Sequence, residues 1–186
     1  MLFIRDTEMA LRAAVALVNT LPECSPDGED HLVGGDDFEA YIAVYPYTGA
    51  LVRDEQELAA VRAHRRRLRA LWDVGRDDAV PLVNAMLRDG RALPQLVRHE
   101  GFDWHIHAAD DSAPLATRML VEAGMAFVDV IRSDEWGRVR VCAADDCTAV
   151  YIDYSKNGSK RYCDVGNCGN RMNVNAYRRR KARESA

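Results

Sequence analysis

The chain has 186 residues and a formal net charge of −4; 48% of its residues are hydrophobic and 29% are charged. These values are ordinary for a soluble globular protein, and the length allows one domain with a real core and a small module beside it. The most apolar later stretch, residues 119–131, contains Glu122 and Asp129, which argues against a transmembrane helix there. Arg5 and Asp6 interrupt the apolar N-terminus too early for a secretory signal, so we expect a cytoplasmic protein.

The charge is unevenly distributed along the chain. Residues 139–186 contain ten Lys or Arg and five Asp or Glu. Residues 1–138 contain fifteen Lys or Arg and twenty-four Asp or Glu. A polyanionic partner is therefore expected to meet the C-terminal segment.

Apolar residues recur at helical spacing over much of the chain. Helices are predicted at residues 8–21, 36–45, 54–73, 77–90 and 112–133. Asp36 and Asp54 are placed to cap the second and third helices, and Asp111 or Ser112 to cap the fifth. Pro81 is expected in the first turn of the fourth, where a proline is tolerated.

Between the fourth and fifth predicted helices, the spacing of apolar residues changes from helical to alternating. Residues 93–99 are compatible with a strand, and Phe102, Trp104 and Ile106 alternate with polar residues just after it. With Gly101 at the turn, an antiparallel hairpin with one apolar face is predicted.

The polar face of this hairpin carries His105 and His107 together with Asp103. Two imidazoles at this spacing can bind a metal ion, but the sequence identifies no third ligand on a second element. An ordinary polar sheet face is therefore the favoured interpretation.

Four of the five cysteines form two pairs with equal spacing. Cys142 and Cys147 enclose four residues, fifteen residues follow, and Cys163 and Cys168 again enclose four. This spacing is typical of a tetrahedral site in which four thiolates bind Zn²⁺. Two disulfides are the alternative, but reduced thiolates are favoured because no secretory signal is present. Four protein ligands leave no position for water, so the metal is expected to be structural.

The order of elements around these cysteines indicates a treble-clef arrangement. Strand-like runs at residues 139–141 and 149–153 flank the first pair, and residues 161–163 are predicted to return as another strand. Cys168 would begin the last helix, whose free N–H groups favour a negatively charged thiolate.

Each of the three residues that follow Cys168 has an expected role. Gly169 would let the backbone approach the sulfur closely, and Asn170 would cap the helix. Arg171 is placed either to hold the ligand loop or to point outward to a phosphate.

The last helix ends in four consecutive cations at residues 178–181. At about 100° per residue they cover nearly the whole circumference, so this turn cannot bury a face. It is either a solvated end or a contact for nucleic-acid phosphates. The residues predicted to contact phosphates are Lys156, Lys160, Arg161, Arg171, Arg178, Arg179, Arg180 and Lys181.

The sequence Cys-Gly-Asn-Arg at residues 168–171 resembles the signature of the CGNR zinc finger family. Asp153, Ser155, Asn157 and Arg161 also resemble that family's pattern. Residues 1–138 resemble the ABATE domain that usually precedes this finger, chiefly through Leu-Val-Asn-Thr at residues 17–20.

The two resemblances imply a bacterial stress-induced transcription regulator. Its finger, residues 139–186, would bind DNA, and its body would sense a small-molecule effector. Asn19 and Thr20 are candidates for lining the effector pocket, although a C-terminal helix cap is the alternative. Tyr162 stands where the family commonly has Trp, and Asn173 stands where Lys is frequent, which removes one phosphate contact.

The sequence therefore predicts an α+β chain in which a mostly helical body with a small antiparallel sheet precedes a treble-clef-like zinc module. The predicted function is DNA binding by a transcription regulator, which could form a homodimer. The alternative is a zinc-stabilised protein-interaction or dimerisation module that does not bind DNA. An enzyme is not predicted, because no nucleophile–base pair is recognisable.

Overall fold

The computed structural model of the chain describes residues 2–99 and 102–184. Helices make up 54% of the structure, which confirms the predicted α+β class with small antiparallel sheets. The elements are α1 (Arg5–Val18), α2 (Gly35–Val44), α3 (Glu55–Arg69), α4 (Arg76–Asp89), β1 (Gln95–His99), β2 (Phe102–His107), α5 (Leu115–Arg132), β3 (Val139–Val141), β4 (Val150–Ile152) and α6 (Cys168–Glu184). None of the described helices is long and apolar enough to cross a membrane.

The core is built around α5. This helix packs against α1, α3 and α4, and most of its side chains are buried. Phe127, near its middle, is fully buried and meets the ring of Trp72 edge to face at 5.4 Å between centroids. Because α5 touches three other helices, it lies at the centre of the body.

The N-terminal caps of the helices agree only in part with those predicted from the sequence. Asp54 caps α3 as predicted, since its carboxylate accepts a hydrogen bond from Glu57 N at 2.7 Å. The predicted cap at Asp36 is wrong. Gly34 occupies that position at the start of α2, and Asp37 accepts from the Gly34 N–H at 3.0 Å.

Two other helix starts also differ from the prediction. Because α4 begins at Arg76, Pro81 lies in its second turn rather than its first. The fifth helix begins after Pro114 and is not capped by Asp111 or Ser112. Ser112 N instead donates to Asp110 at 2.8 Å, which forms a separate turn before the helix.

Strands β1 and β2 form the predicted antiparallel hairpin, with Leu96 opposite Ile106. Its apolar face points to solvent: Leu96 is 68% exposed, Trp104 64% and Ile106 42%. The half-buried side chains are on the opposite face, which includes His105 and His107. The predicted turn at Gly101, and the side chain of Phe102, lie outside the described residues.

Strand β4 joins the C-terminal segment to the body. Val150 and Ile152 belong to the main hydrophobic core, whereas Tyr151 between them packs with the cysteines. The indole Nε1 of Trp72 donates to the carbonyl oxygen of Tyr151 at 3.2 Å. The two faces of one short strand therefore belong to two different cores.

The predicted strand at residues 161–163 is not formed. Two bonds tie this segment to the first cysteine pair: Ala143 N donates to Arg161 O at 2.9 Å, and Cys163 N donates to Cys142 Sγ at 3.4 Å. The neighbouring carbonyl of Lys160 accepts from the side chains of Tyr151 and Arg140. The Lys160 carbonyl is therefore bonded to side chains and not to a neighbouring strand.

Candidate metal centre and basic helix

The four paired cysteines converge on one point. The ligand atoms of Cys142, Cys147, Cys163 and Cys168 all lie within 4.8 Å of one another. Cys163 Sγ is 3.7 Å from Cys147 Sγ and also 3.7 Å from Cys168 Sγ. A tetrahedron with metal–sulfur bonds of about 2.3 Å has sulfur–sulfur edges of about 3.8 Å.

This geometry fits a metal ion and does not fit disulfides. A disulfide requires sulfur atoms about 2.05 Å apart, and all five cysteines of the chain are free. Thiolates are ligands that suit zinc. With four protein ligands a bound ion has no open position, so its chemistry here is to fix the polypeptide.

Backbone hydrogen bonds shape the loop that carries the first pair. Cys142 N donates to Ala149 O at 2.9 Å, and Cys147 N donates to Ala144 O at 3.1 Å. The two bonds close a tight knuckle between β3 and β4, where both sulfurs can face the same point. The second pair reaches this point from another direction, because Cys168 begins α6 as predicted.

The close approach of backbone to sulfur occurs at Gly166, not at Gly169 as predicted. A Cβ on Gly166 would lie 3.2 Å from Cys168 Sγ, whereas one on Gly169 would meet only the Tyr162 ring at 3.6 Å. Asn167 follows with a φ of 51°, a left-handed conformation that asparagine tolerates better than most residues. Asn170, predicted as the cap, lies inside the first turn of α6.

Arg171 connects the two pairs. Its guanidinium donates to both carboxylate oxygens of Asp146, at 2.6 and 3.1 Å, and Nη2 donates to Cys168 Sγ at 3.2 Å. Asp146 lies in the first knuckle and Cys168 in the second pair, so the planar guanidinium bridges them. In this geometry Arg171 holds the ligand loop; a contact between Arg171 and phosphate stays a prediction.

The same contacts affect the ionisation of the thiols. Burial raises the pKa of Cys147 and Cys163. Burial also acts on Cys168, but donation from Arg171 and the neighbouring thiols outweighs it, and the pKa of Cys168 is lowered. Since metal ligation requires thiolates, the Arg171 contact favours the ligating form of Cys168.

Of the predicted phosphate contacts, Lys156 is exposed in the turn after β4 and Arg171 pairs with Asp146. The others fall into two groups. Lys160 and Arg161 line a cleft beside the start of α6, where Lys160 Nζ pairs with Asp164 at 2.5 Å. Residues 178–181 lie farther along α6, about 15 to 20 Å from its first residue at 1.5 Å per residue. From residue 173 to residue 183 every side chain of α6 is exposed.

Family comparison agrees with this arrangement. Residues 138–181 match the CGNR zinc finger. Residues 11–134 match ABATE, described as "Putative stress-induced transcription regulator". The chain belongs to the ABATE family. Both resemblances and their order are thereby confirmed. No curated protein matches the chain.

Asn19 and Thr20 lie where the ABATE body meets the CGNR finger. Both line a cleft of about 630 Å³, whose wall includes Tyr151, Tyr154 and Asp164 from the finger. The Asn19 amide is already engaged with the backbone of Val150. Thr20 Oγ1 donates to Leu17 O at 2.7 Å, as a residue at a helix end commonly does.

Sequence reasoning gave Asp153 no role beyond its fit to the CGNR pattern. Its carboxylate is fully buried and accepts from the N–H groups of Ser155 and Lys160, both at 2.8 Å. Despite burial, these bonds and the charge of Arg140 lower the pKa of Asp153. Asp153 thus closes the loop between β4 and the second cysteine pair. An Asp two residues before a Ser, with Asn-Gly following, is the local signal that points to such a loop.

Proposed function

We propose that this ABATE-family protein is a cytoplasmic, non-enzymatic transcription regulator that binds DNA through the cationic end of α6. The observation that carries the proposal is that α6 is exposed on all sides where residues 178–181 lie. Among the described residues, no carboxylate lies within ion-pair distance of Arg178, Arg179 or Arg180. Arginines without a carboxylate partner on a projecting helix are suited to phosphate contacts.

In this proposal the metal acts at a distance from the nucleic acid. Zn²⁺ on four thiolates fixes the position of Cys168, and Cys168 fixes the first turn of α6. The helix then carries the cations away from an acidic body, whose net charge up to residue 138 is negative. Such contacts to phosphate give affinity with little sequence information.

The test is a salt titration of binding to random duplex DNA. Changing Arg178, Arg179, Arg180 and Lys181 together to Ala is expected to weaken binding across sequences. Each lost phosphate contact reduces the slope of log K against log salt by about 0.9, so four contacts change it by about 3 to 4. The matched control changes four arginines of the body, Arg53, Arg62, Arg66 and Arg132, to Ala, with the same change in net charge.

The control should bind DNA with the wild-type slope. Tight binding by the α6 variant with an unchanged slope would contradict the proposal. Loss of binding only in the body variant would place the anion site on the body instead.

We further propose that the cleft at Asn19 and Thr20 is where a small-molecule effector acts. Its support is the location, since an occupant touches α1 and the finger at once. The buried hydroxyl of Tyr154, in its wall, has no hydrogen-bond partner among the described residues. Ala16→Phe would fill the cleft, and it is expected to remove any effector-induced change in DNA affinity while leaving basal affinity unchanged.

A second candidate function is a zinc-stabilised interaction or dimerisation module. Val174 and Tyr177 favour it, because both are exposed apolar residues three positions apart on α6, a spacing that places them on one face. This alternative predicts no DNA affinity at physiological salt. It also predicts an assembly, such as a homodimer, that dissociates when Tyr177 is changed to Glu.

A further inference from the structure

The finger holds helix α6 by one side. Cys168 is fully buried, and Met172 packs against the cysteine cluster, so these two side chains fix the start of the helix to the finger. At about 100° per residue, each points about 160° away from the direction of Asn170. Asn170 itself is exposed. The side of α6 that bears Asn170 therefore faces away from the finger.

A stripe of uncharged side chains follows this outer side of α6. Asn173, Val174 and Tyr177 are exposed, and helical geometry places all three within about 60° of the direction of Asn170. From Asn170 to Tyr177 the stripe is about 10 Å long at 1.5 Å per residue. It offers two side-chain amides, one aliphatic surface and one aromatic ring.

Two arginines flank the stripe. Arg178 and Arg180 are exposed, and they point about 80° to either side of the direction of Asn170. The phosphates of the two strands line opposite sides of a groove in duplex DNA, so each arginine can contact one strand. Phosphate contacts of this kind fix the orientation of a protein on the duplex. Here they would turn the stripe toward the floor of the groove.

We propose that α6 enters the major groove of duplex DNA and that Asn170, Asn173, Val174 and Tyr177 face the base edges there. This inference rests on the proposed DNA-binding function and adds sequence recognition to it. The major groove is about 12 Å wide and admits an α-helix. At about 3.4 Å per base pair, the stripe spans about three base pairs.

The side-chain types define the bases that are recognised. The amide of asparagine donates to N7 of adenine and accepts from its N6 amino group, whereas valine suits contact with the thymine methyl group. Asn173 and Val174 are adjacent in the stripe and can read the two bases of A·T pairs. Asn173 is the principal specificity-determining residue, because Asn170 lies in the turn that the finger holds.

The test begins with selection of binding sites by the intact protein from random duplex DNA. The measured quantity is the ratio of affinities for the selected duplex and for a scrambled duplex of the same composition. Asn173→Ala is expected to lower this ratio about tenfold, with an unchanged salt slope because no phosphate contact is lost. Asn175→Ala is the matched control, since Asn175 is exposed on the same helix but points about 140° away from Asn170.

A change in the DNA identifies the contact. Each adenine of the selected duplex is replaced in turn by 7-deazaadenine, which lacks the N7 acceptor. At one position the replacement is expected to weaken binding by wild type and by Asn175→Ala about tenfold. It should not weaken binding by Asn173→Ala further, because that variant no longer contacts the base.

Equal selectivity of wild type and Asn173→Ala would overturn the inference. Salt-dependent binding to random DNA without any selected site would also overturn it, while the proposed DNA-binding function would stand on phosphate contacts alone. If the protein binds no duplex, both fail. Dissociation of a homodimer by Tyr177→Glu would then assign the stripe to an interface between two copies of the chain.

Discussion

The side chain of Asn19 pairs with the backbone of Val150 in both directions. Its amide donates to the Val150 carbonyl at 2.9 Å and accepts from the Val150 N–H at 2.8 Å. Both residues are buried. Asn19 therefore supplies to β4 the two bonds that a neighbouring strand would supply, and α1 holds the finger through them.

Replacing Asn19 by Leu should lower the free energy of unfolding by on the order of 3 kcal/mol, because the N–H and the C=O of Val150 stay buried without partners. Urea denaturation measures the change. Asn84→Leu, on the exposed side of α4, is the control and should alter stability by less than about 0.5 kcal/mol. Equal effects of the two substitutions would contradict the role of Asn19.

Removal of zinc should disturb the body as well as the finger. Binding to a four-thiolate site contributes on the order of 10 kcal/mol to folding of a small module, and the indole of Trp72 bonds to the finger strand β4. A strong chelator is therefore expected to lower the melting temperature and change tryptophan fluorescence. Cys24→Ala should respond to the chelator like wild type, since Cys24 is not among the ligands. An unchanged melting temperature would show that the metal has no structural role.

Arg171→Ala should weaken zinc binding by about 10- to 100-fold, the usual effect of removing a residue that orients a metal ligand. The physical reason is that Cys168 loses the donor that favours its thiolate. Competition with a chromophoric chelator measures the affinity. Arg178→Ala, with the same change in charge on the same helix, should leave zinc affinity unchanged. If both variants bind zinc equally, the Arg171 contact is dispensable.

Glu122 on α5 gives stability a dependence on pH. Burial raises the pKa of Glu122 to about 7, while Arg118 opposes the shift and Asp111 adds to it. The folded state favours the neutral carboxyl group of Glu122, so protonated Glu122 stabilises the fold. This contribution to the free energy of unfolding is fully present below about pH 4.5 and is lost as pH rises through about 7. Glu122→Gln should therefore be more stable than wild type by on the order of 2–3 kcal/mol at pH 8, and equal to it near pH 4.5.

Denaturation at the two pH values tests this expectation. Glu55→Gln, at an exposed position in the first turn of α3, is the control and should show no such gain at pH 8. A constant difference between Glu122→Gln and wild type at both pH values would mean that Glu122 does not titrate in this range.

The sequence predicted what depends on local spacing. The cysteine pairs and the cap at Asp54 each lie within a few residues, and their geometry followed from the residue types. The alternation of apolar and polar residues also predicted the two faces of the hairpin. It does not predict which of these faces is buried. Leu96 and Trp104 are on the exposed side, although they form the apolar face of the hairpin.

Longer-range relationships were not readable in the same way. Asn19 and Val150 are 131 positions apart, and no local pattern couples them. Gly166 rather than Gly169 approaches the sulfur because the turn at Asn167 sets the path of the chain before α6. The first finding required the positions of two distant segments, and the second required the backbone conformation of Asn167.

Strand β4 makes the core of the body and the core of the finger depend on each other. Val150 and Ile152 fill the interior of the body, while Tyr151 fills that of the finger. A chain cut after residue 138 would lose part of its own interior and leave the Asn19 amide facing water. The two family segments can be told apart in the sequence, yet neither can be excised without opening the other.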